Sequence, residues 1–215
     1  MLIEVTGTDG SGKMTLIHRL RRRLNESKYG WAYERTFQSD QLRILEQIAL
    51  DTGARRPNEI FGNDAVELVR TLELLQVSHH TLAIHKTSER QVFFIDSYYH
   101  EALARLDERS VSNGDLIRRL LHRLPAPDLT IYLRISPQTA ESRMRLREKG
   151  DSLLLAKNPS AAIETLSVAI ERTLEHARGP VLALDAELTP EALVDEVLAS
   201  ELFSAWQKRA VGLDQ

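Results

Sequence analysis

No cysteine occurs anywhere in the 215 residues. That removes disulfides, thiol nucleophiles and thiolate zinc sites together, and it fits a reducing compartment. No run approaches 18 consecutive apolar residues, so no membrane span is available. The N-terminus has neither a basic stretch nor a long apolar one; Met1-Leu2-Ile3-Glu4-Val5 already reads as a strand rather than a secretory leader. The cytoplasm is the expected location. Charge of one sign is lacking too: 28 Lys+Arg against 31 Asp+Glu leave a formal net charge of -3, so bulk charge calls for neither nucleic acid nor anionic lipid. There is no fixed-period repeat, low-complexity tract or long linker. What remains is a chain 42% hydrophobic and 27% charged, an ordinary globular composition at a length suited to one domain, residues 1–215.

Short β-rich runs alternate with helical patterns. Leu2-Ile3-Glu4-Val5-Thr6 ends in Gly7, and an amphipathic stretch from Lys13 to about Leu24 follows. Trp31-Ala32-Tyr33 is a weaker strand. Residues 62–86 carry apolar positions near 3.6 spacing, at Val66, Leu68, Val69, Leu72, Leu75 and Leu82. Gln91-Val92-Phe93-Phe94-Ile95-Asp96 is apolar on both faces and closes on a carboxylate. Leu129–Leu133 follows the turn signal Pro125-Ala126-Pro127-Asp128, and Val181–Asp185 is opened by Gly179-Pro180. Strands separated by helices predict right-handed crossovers and a mostly parallel sheet, an α/β fold of three layers with about five parallel strands.

The strongest chemical signal is Gly7-Thr8-Asp9-Gly10-Ser11-Gly12-Lys13, between the first strand and the first helix. Glycines let the backbone curl so that its N–H groups converge on a phosphate chain. The helix N-terminus behind them adds a favourable dipole, and Lys13 adds a point charge for the outer phosphates. The pattern GxxxxGK[ST] asks next for a hydroxyl on Mg²⁺. Met14 stands there instead, and its soft thioether cannot replace hard oxygen. Thr15 is turned by about 100° on the helix. Either water and another oxygen complete the metal shell, or catalysis is weak.

With these residues in place, the chain resembles the thymidylate kinase family of P-loop nucleoside monophosphate kinases. The loop Gly7–Lys13 looks like that family's GxDGSGK, in which the aspartate is implied to touch the acceptor sugar's 3′-hydroxyl; Asp9 takes that place. Tyr33-Glu34-Arg35 falls where the family has a strand-end arginine near the acceptor phosphate. Asp96-Ser97-Tyr98 falls on its Asp-Arg-Tyr motif. Pro127–Leu133 matches the strand before its lid helix, and Arg143, Arg145 and Arg147, then Asp151, match the arginine spacing of a lid near 147–160. Leu184-Asp185-Ala186, followed by Thr189-Pro190-Glu191, looks like the loop that cradles adenine. The departures are Ser97 and Ser152, each in place of an arginine, and Gln76 and His80, at the positions whose phenylalanine and arginine are implied to hold thymine. These changes leave fold and donor site intact and point away from thymidylate as the preferred acceptor.

The resemblance implies ATP and Mg²⁺ as cofactors and a homodimer through the long central helices. Lys13, Asp96 and Arg147 are the expected catalytic residues. Gly7, Asp9, Gly10, Ser11, Gly12, Lys13, Met14, Thr15, Arg143 and Ala186 are expected to bind the donor. Asp9, Arg35, Gln76, His80, Ser97 and Tyr98 are expected to bind the acceptor. Asp96 ends a strand at the carboxyl edge, where open parallel sheets place ligands, and can hold the metal or cap a helix. Tyr98 either lines the acceptor pocket or is a core aromatic with a satisfied hydroxyl. His79, His80 and His85 do not read as a metal site, since adjacent helical residues diverge and no fourth ligand is supplied. Trp31, Leu202, Phe203 and Trp206 read as packing residues. The expected activity is transfer of the γ-phosphoryl of ATP to a nucleoside monophosphate. A nucleoside or other small-molecule kinase on the same scaffold, or a nucleotide-binding protein with lost catalysis, stays open.

Overall fold

The computed structural model describes residues 1–26, 32–35, 40–85, 92–147 and 152–212. Among them, five strands form one sheet: β1 (Leu2–Thr6), β2 (Ala32–Arg35), β3 (Val92–Asp96), β4 (Leu129–Arg134) and β5 (Val181–Asp185). Their spatial order is β2-β3-β1-β4-β5 and every pairing is parallel. The α/β class and the count of about five parallel strands are as the sequence implied. Trp31 and Gln91, which were expected to belong to strands, lie outside the described residues.

The two-residue period of a strand sorts its side chains between the layers. Ile3 and Val5 join Leu16, Ile17 and Leu20 of α1 (Lys13–Glu26), Leu193 and Val197 of α8 (Pro190–Ala199), and Phe203 and Trp206 of α9 (Glu201–Gly212). Leu2, Phe93 and Ile95 face the opposite way. They pack with Leu74 of α3 (Pro57–His85), Leu103 and Leu106 of α4 (Tyr99–Glu108), and Ile117 and Leu121 of α5 (Gly114–Leu121). The sheet is thus covered on both faces, as buried parallel strands require. Phe203 and Trp206 are packing residues, with ring centroids 5.4 Å apart, whereas Leu202 is 41% exposed.

Three later helices start on one local signature, a capping side chain followed by proline. Ser136, Asn158 and Thr189 cap α6 (Pro137–Arg145), α7 (Pro159–Leu174) and α8, each accepting the backbone N–H three residues on. The α3 pattern was placed less well. The helix begins at Pro57 rather than residue 62, and Gly62, at φ 74°, kinks it. Of the apolar positions at helical spacing, Leu68 and Leu72 are exposed.

Because β1 lies between β3 and β4, the chain leaves its carboxyl end at the point where strand order reverses. Open α/β sheets bind ligands in the crevice there.

Candidate active site

The glycine loop runs from that carboxyl end into α1. Gly10 has φ +86°, and a Cβ on it would sit 2.6 Å from the backbone oxygen of Ala140 on α6. Here the loop can touch the helix only because a side chain is missing. Gly12 has φ +92° and nothing within 4 Å of its would-be Cβ, so this part of the loop faces open space. Gly53, after α2 (Asp40–Asp51), has φ +81° and is equally unhindered. Gly10→Ala and Gly53→Ala therefore share the left-handed strain of about 1–2 kcal/mol but differ in the clash. Gly10→Ala is expected to lower the melting temperature more and to weaken ATP binding as well. Equal melting shifts in a paired thermal scan would contradict this account.

Lys13 is buried at the first turn of α1. Its Nζ donates to the backbone oxygens of Gly7 at 2.7 Å and Thr8 at 3.2 Å, and lies 3.9 Å from Glu101 Oε2. Burial works against its charge, but Glu101, Asp96 and Asp9 outweigh burial and hold its pKa above the ordinary lysine value. The ammonium is fully charged at neutral pH. Beside it, the hydroxyls of Thr8 and Ser11 are buried without a hydrogen-bond partner among the described residues. The first N–H groups of α1 have no intrahelical acceptor. A phosphate chain fits this set: unused donors, a cation and an open cradle at Gly12.

Asp96 ends β3 and does not cap α4, whose N-cap is Tyr98 with no side-chain cap bond. Ser97 adopts φ 57° and donates its Oγ–H to Asp96 Oδ1 at 2.9 Å. Burial pushes the Asp96 carboxyl up, and Lys13 pulls against that. Tyr98 is fully buried in the core and its hydroxyl donates to Pro125 O at 3.2 Å. It is a core aromatic with a satisfied hydroxyl. Met14 is half-buried and packs against the α1-side core, so its thioether is committed to packing. Thr15 is exposed. Among the described residues, no group of three or more His, Asp or Glu is arranged to hold a metal. Asp96 plus phosphate and water oxygens is a donor set that suits Mg²⁺, which retains waters and takes few protein ligands.

Two site residues had not been foreseen from sequence, Glu101 and Arg105. Both come from α4 at i,i+4 spacing, a pair that looks in sequence like any surface salt bridge. Glu101 is 4% exposed, and its Oε1 accepts from Nε (3.1 Å) and Nη2 of Arg105. Despite burial, Arg105 and Lys13 draw its pKa down to about 2. What fixes α4 is Glu4, fully buried in mid-sheet: its Oε1 accepts the His100 N–H at 2.9 Å and its Oε2 lies 2.7 Å from His100 Nδ1. A strand carboxylate thus ties down the first turn of the helix that carries Glu101.

On the opposite side, Arg143 Nη1 donates to Ala186 O at 3.0 Å, joining two of the residues expected to bind the donor. The loop after β5 is held there by Glu187, which accepts from Ser136 Oγ at 2.7 Å and Thr139 Oγ1 at 3.0 Å. These bonds lower its pKa. Arg145 pairs along α6 with Glu141 at 2.6 Å, away from any shared target with Arg143. Arg147 is exposed just beyond α6, and Asp151 lies outside the described residues, as does the side chain of Ser152. Arg35 ends β2, in register with Ile95; its side chain and that of His80 lie outside the described residues. Gln76 is exposed on α3.

A sequence profile described as thymidylate kinase matches residues 5–197. The chain belongs to the thymidylate kinase family. A probable thymidylate kinase of Sulfolobus acidocaldarius is 25% identical over 201 residues, 91% of this chain and 93% of the relative. One from Archaeoglobus fulgidus is 25% identical over 198 residues, 92% of each. A solved deoxyadenosine kinase from M. mycoides, with products dCMP and a flexible dCDP bound, shares the fold at a TM-score of 0.62 and 23% identity. That match covers 92% of this chain and 97% of the other. Membership of the family makes the protein a phosphotransferase that carries a phosphoryl group from ATP to a nucleotide. Among the described residues, no helix is long and apolar enough to cross a membrane.

Proposed function

We propose that the chain, as a single P-loop domain over 1–215 with a lid near 147–160, transfers the γ-phosphoryl of ATP to the phosphate of a nucleoside monophosphate. An acceptor phosphate oxygen attacks the γ-phosphorus, the bond to the bridging oxygen breaks, and ADP leaves. The observation carrying this is the charged Lys13 beside Asp96, Asp9 and Glu101 at the strand-order reversal. Such transfer needs positive charge and in-line placement more than covalent chemistry. Lys13 meets the outer phosphates, and the N–H groups of Gly10, Gly12, Lys13, Met14 and Thr15, with the Ser11 hydroxyl, line the chain behind Gly7. Arg143 packs on adenine beside Ala186, and Arg147 reaches the transferred group from the lid. Asp9 reads a sugar hydroxyl, and Arg35 adds charge on the acceptor side. Mg²⁺, held by Asp96, would neutralise developing charge on the phosphates.

An ADP-release assay with ATP and Mg²⁺ across nucleosides and nucleoside monophosphates tests this reading. Turnover with monophosphates supports it. Turnover only with nucleosides, the reading favoured by Ser97, replaces it with a nucleoside kinase. ATP binding without any turnover, the reading favoured by the packed Met14, makes the chain a nucleotide-binding protein. Thymidylate is not expected to lead the panel, since Gln76 is exposed and offers no stacking face. Losing such a face costs about 1–3 kcal/mol. A specificity constant for thymidylate tenfold above all others would contradict that expectation.

A cytoplasmic homodimer completes the proposal. The absence of cysteine fits the compartment. Ile44 and Ile48 on α2 and Leu68 and Leu72 on α3 are i,i+4 apolar pairs, 38–58% exposed, on two helices packed together. Contiguous exposed apolar surface of this kind marks interfaces. Leu72→Glu is expected to shift the protein to monomer in sedimentation without loss of fold; an unchanged mass excludes this face.

A further inference from the structure

Behind Glu101, a cavity of about 550 Å³ opens between α3, α4 and the segment leading into α7, lined by Arg70, Arg105, Arg109, Val66, Leu153 and Ala162 among others. Its three central guanidinium groups lie among three carboxylates, Glu101, Glu67 and Glu108, the last 3.9 Å from Arg109 Nε. Glu101 Oε1 holds the Nε–Nη2 edge of Arg105, so the donors on Nη1 make no hydrogen bond among the described residues. Glu67, 3% exposed, accepts from Arg109 Nη1 and lies 3.7 Å from Arg70 Nε. That distance is too long for a hydrogen bond, and Arg70 Nε is buried without a partner among the described residues. Burial, and then the neighbouring Arg105 guanidinium, push Arg70 down to about 10. With Arg55 and Arg56 also on its wall, and Glu46 and Glu108 as its lining carboxylates, the cavity presents more guanidinium groups than carboxylates. The Asp9 carboxylate of the glycine loop is among the charges that hold Arg105 ionised, so the cavity is electrostatically continuous with the donor site. Meanwhile Ser97, at the arginine position of the motif, carries no charge and is bonded to Asp96.

We infer that this cavity receives the acceptor and that Arg105 supplies the cation for its phosphate which Ser97 does not. Arg70 and Arg109 keep the wall behind it positive. Glu101 positions Arg105 by occupying one edge of the guanidinium, which leaves its other donors for a phosphate oxygen, the geometry at which arginine excels. A cation moved from the strand end to α4 explains how the chain can lack the arginine of the Asp-Arg-Tyr motif and still read a phosphate. The inference rests on the reading of the chain as a nucleoside monophosphate kinase.

The test measures KM and kcat for 2′-deoxynucleoside 5′-monophosphates and for the matched nucleosides, with ATP affinity by calorimetry. Arg105→Gln is expected to raise the monophosphate KM roughly 10- to 100-fold while ATP affinity changes less than twofold, as loss of one charge-assisted contact predicts. Arg105→Lys should recover part of the loss. If Arg105→Gln alone does not fold, Glu101→Gln/Arg105→Gln removes both charges of the pair and keeps its hydrogen-bonding shape, and the same KM rise is expected. An active enzyme whose monophosphate KM is unmoved overturns the role of Arg105 and leaves the proposed reaction standing. A fall in ATP affinity equal to the KM rise also overturns it. A wild-type protein that phosphorylates nucleosides and no monophosphate overturns both.

Discussion

Lys13→Ala is expected to lower kcat/KM by about 10²–10³-fold, the size of effect seen when a preorganised charge at a reacting group is removed. ATP affinity should fall by about one to two decades, since a charge-assisted phosphate contact is worth roughly 1.5–3 kcal/mol. The reason lies in how the ammonium is kept. It is bonded to the Gly7 and Thr8 carbonyls and near Glu101, so it is oriented within the loop before any nucleotide arrives. Its raised pKa, set by Glu101, Asp96 and Asp9 against the opposing effect of burial, keeps the charge constant over the neutral range. ATP binding should therefore lose no contribution from Lys13 deprotonation across the neutral range. Calorimetry and steady-state rates on the folded variant decide the matter. Equal ATP affinity in the two proteins would remove Lys13 from the donor site.

The difference between what could be read in the sequence and what could not follows from the range of the signals. Gly7–Lys13 is a contiguous string whose chemistry lies in the order of its residues, and the Ser136, Asn158 and Thr189 caps are equally local. Three of the five strands, β1, β3 and β4, were legible because they are buried on both faces, so their apolar runs are continuous. Glu101 and Arg105 carried no such mark. An acidic and a basic residue four apart on a helix are usually a solvated pair, and what makes these different is Glu4, 97 positions earlier, fastening α4 against the sheet through His100. The face of α3 was misjudged for a related reason. Family order points to Gln76, but Leu74 packs into the core and Gln76 is exposed, while Glu67 of the same helix pairs with Arg109 of the segment after α4. Tyr98 followed the same logic: its motif position suggested a pocket, while burial and the bond to Pro125 make it core.

Glu101→Ala is expected to cost about 3–5 kcal/mol of folding stability, because it strands two cations that the wild-type protein neutralises together. The Lys13 and Arg105 side chains are only 7% and 17% exposed, so neither can recover its hydration without moving the loop or α4. At this chain length that loss corresponds to a fall in melting temperature of roughly 6–20 °C. The dependence on pH gives the claim its sharper form. Arg105 and Lys13 overcome burial and hold the Glu101 carboxyl at about 2, against an ordinary value of 4.5. A depressed carboxylate contributes stability that is complete above its unfolded pKa and drains away as pH falls through the folded value. The melting gap between wild type and Glu101→Gln should accordingly be widest near pH 7 and close between about pH 4.5 and 2. Asp96 has the opposite sign: burial raises its pKa, and Glu101 and Asp9 add to that, so its protonation favours the fold as pH falls. Removing Glu101 should therefore also bring the Asp96 titration to lower pH, visible by carboxylate NMR. A melting gap that stays constant from pH 7 to 2 would show that Glu101 is not held ionised by Lys13 and Arg105, and that the link between donor loop and α4 is not electrostatic.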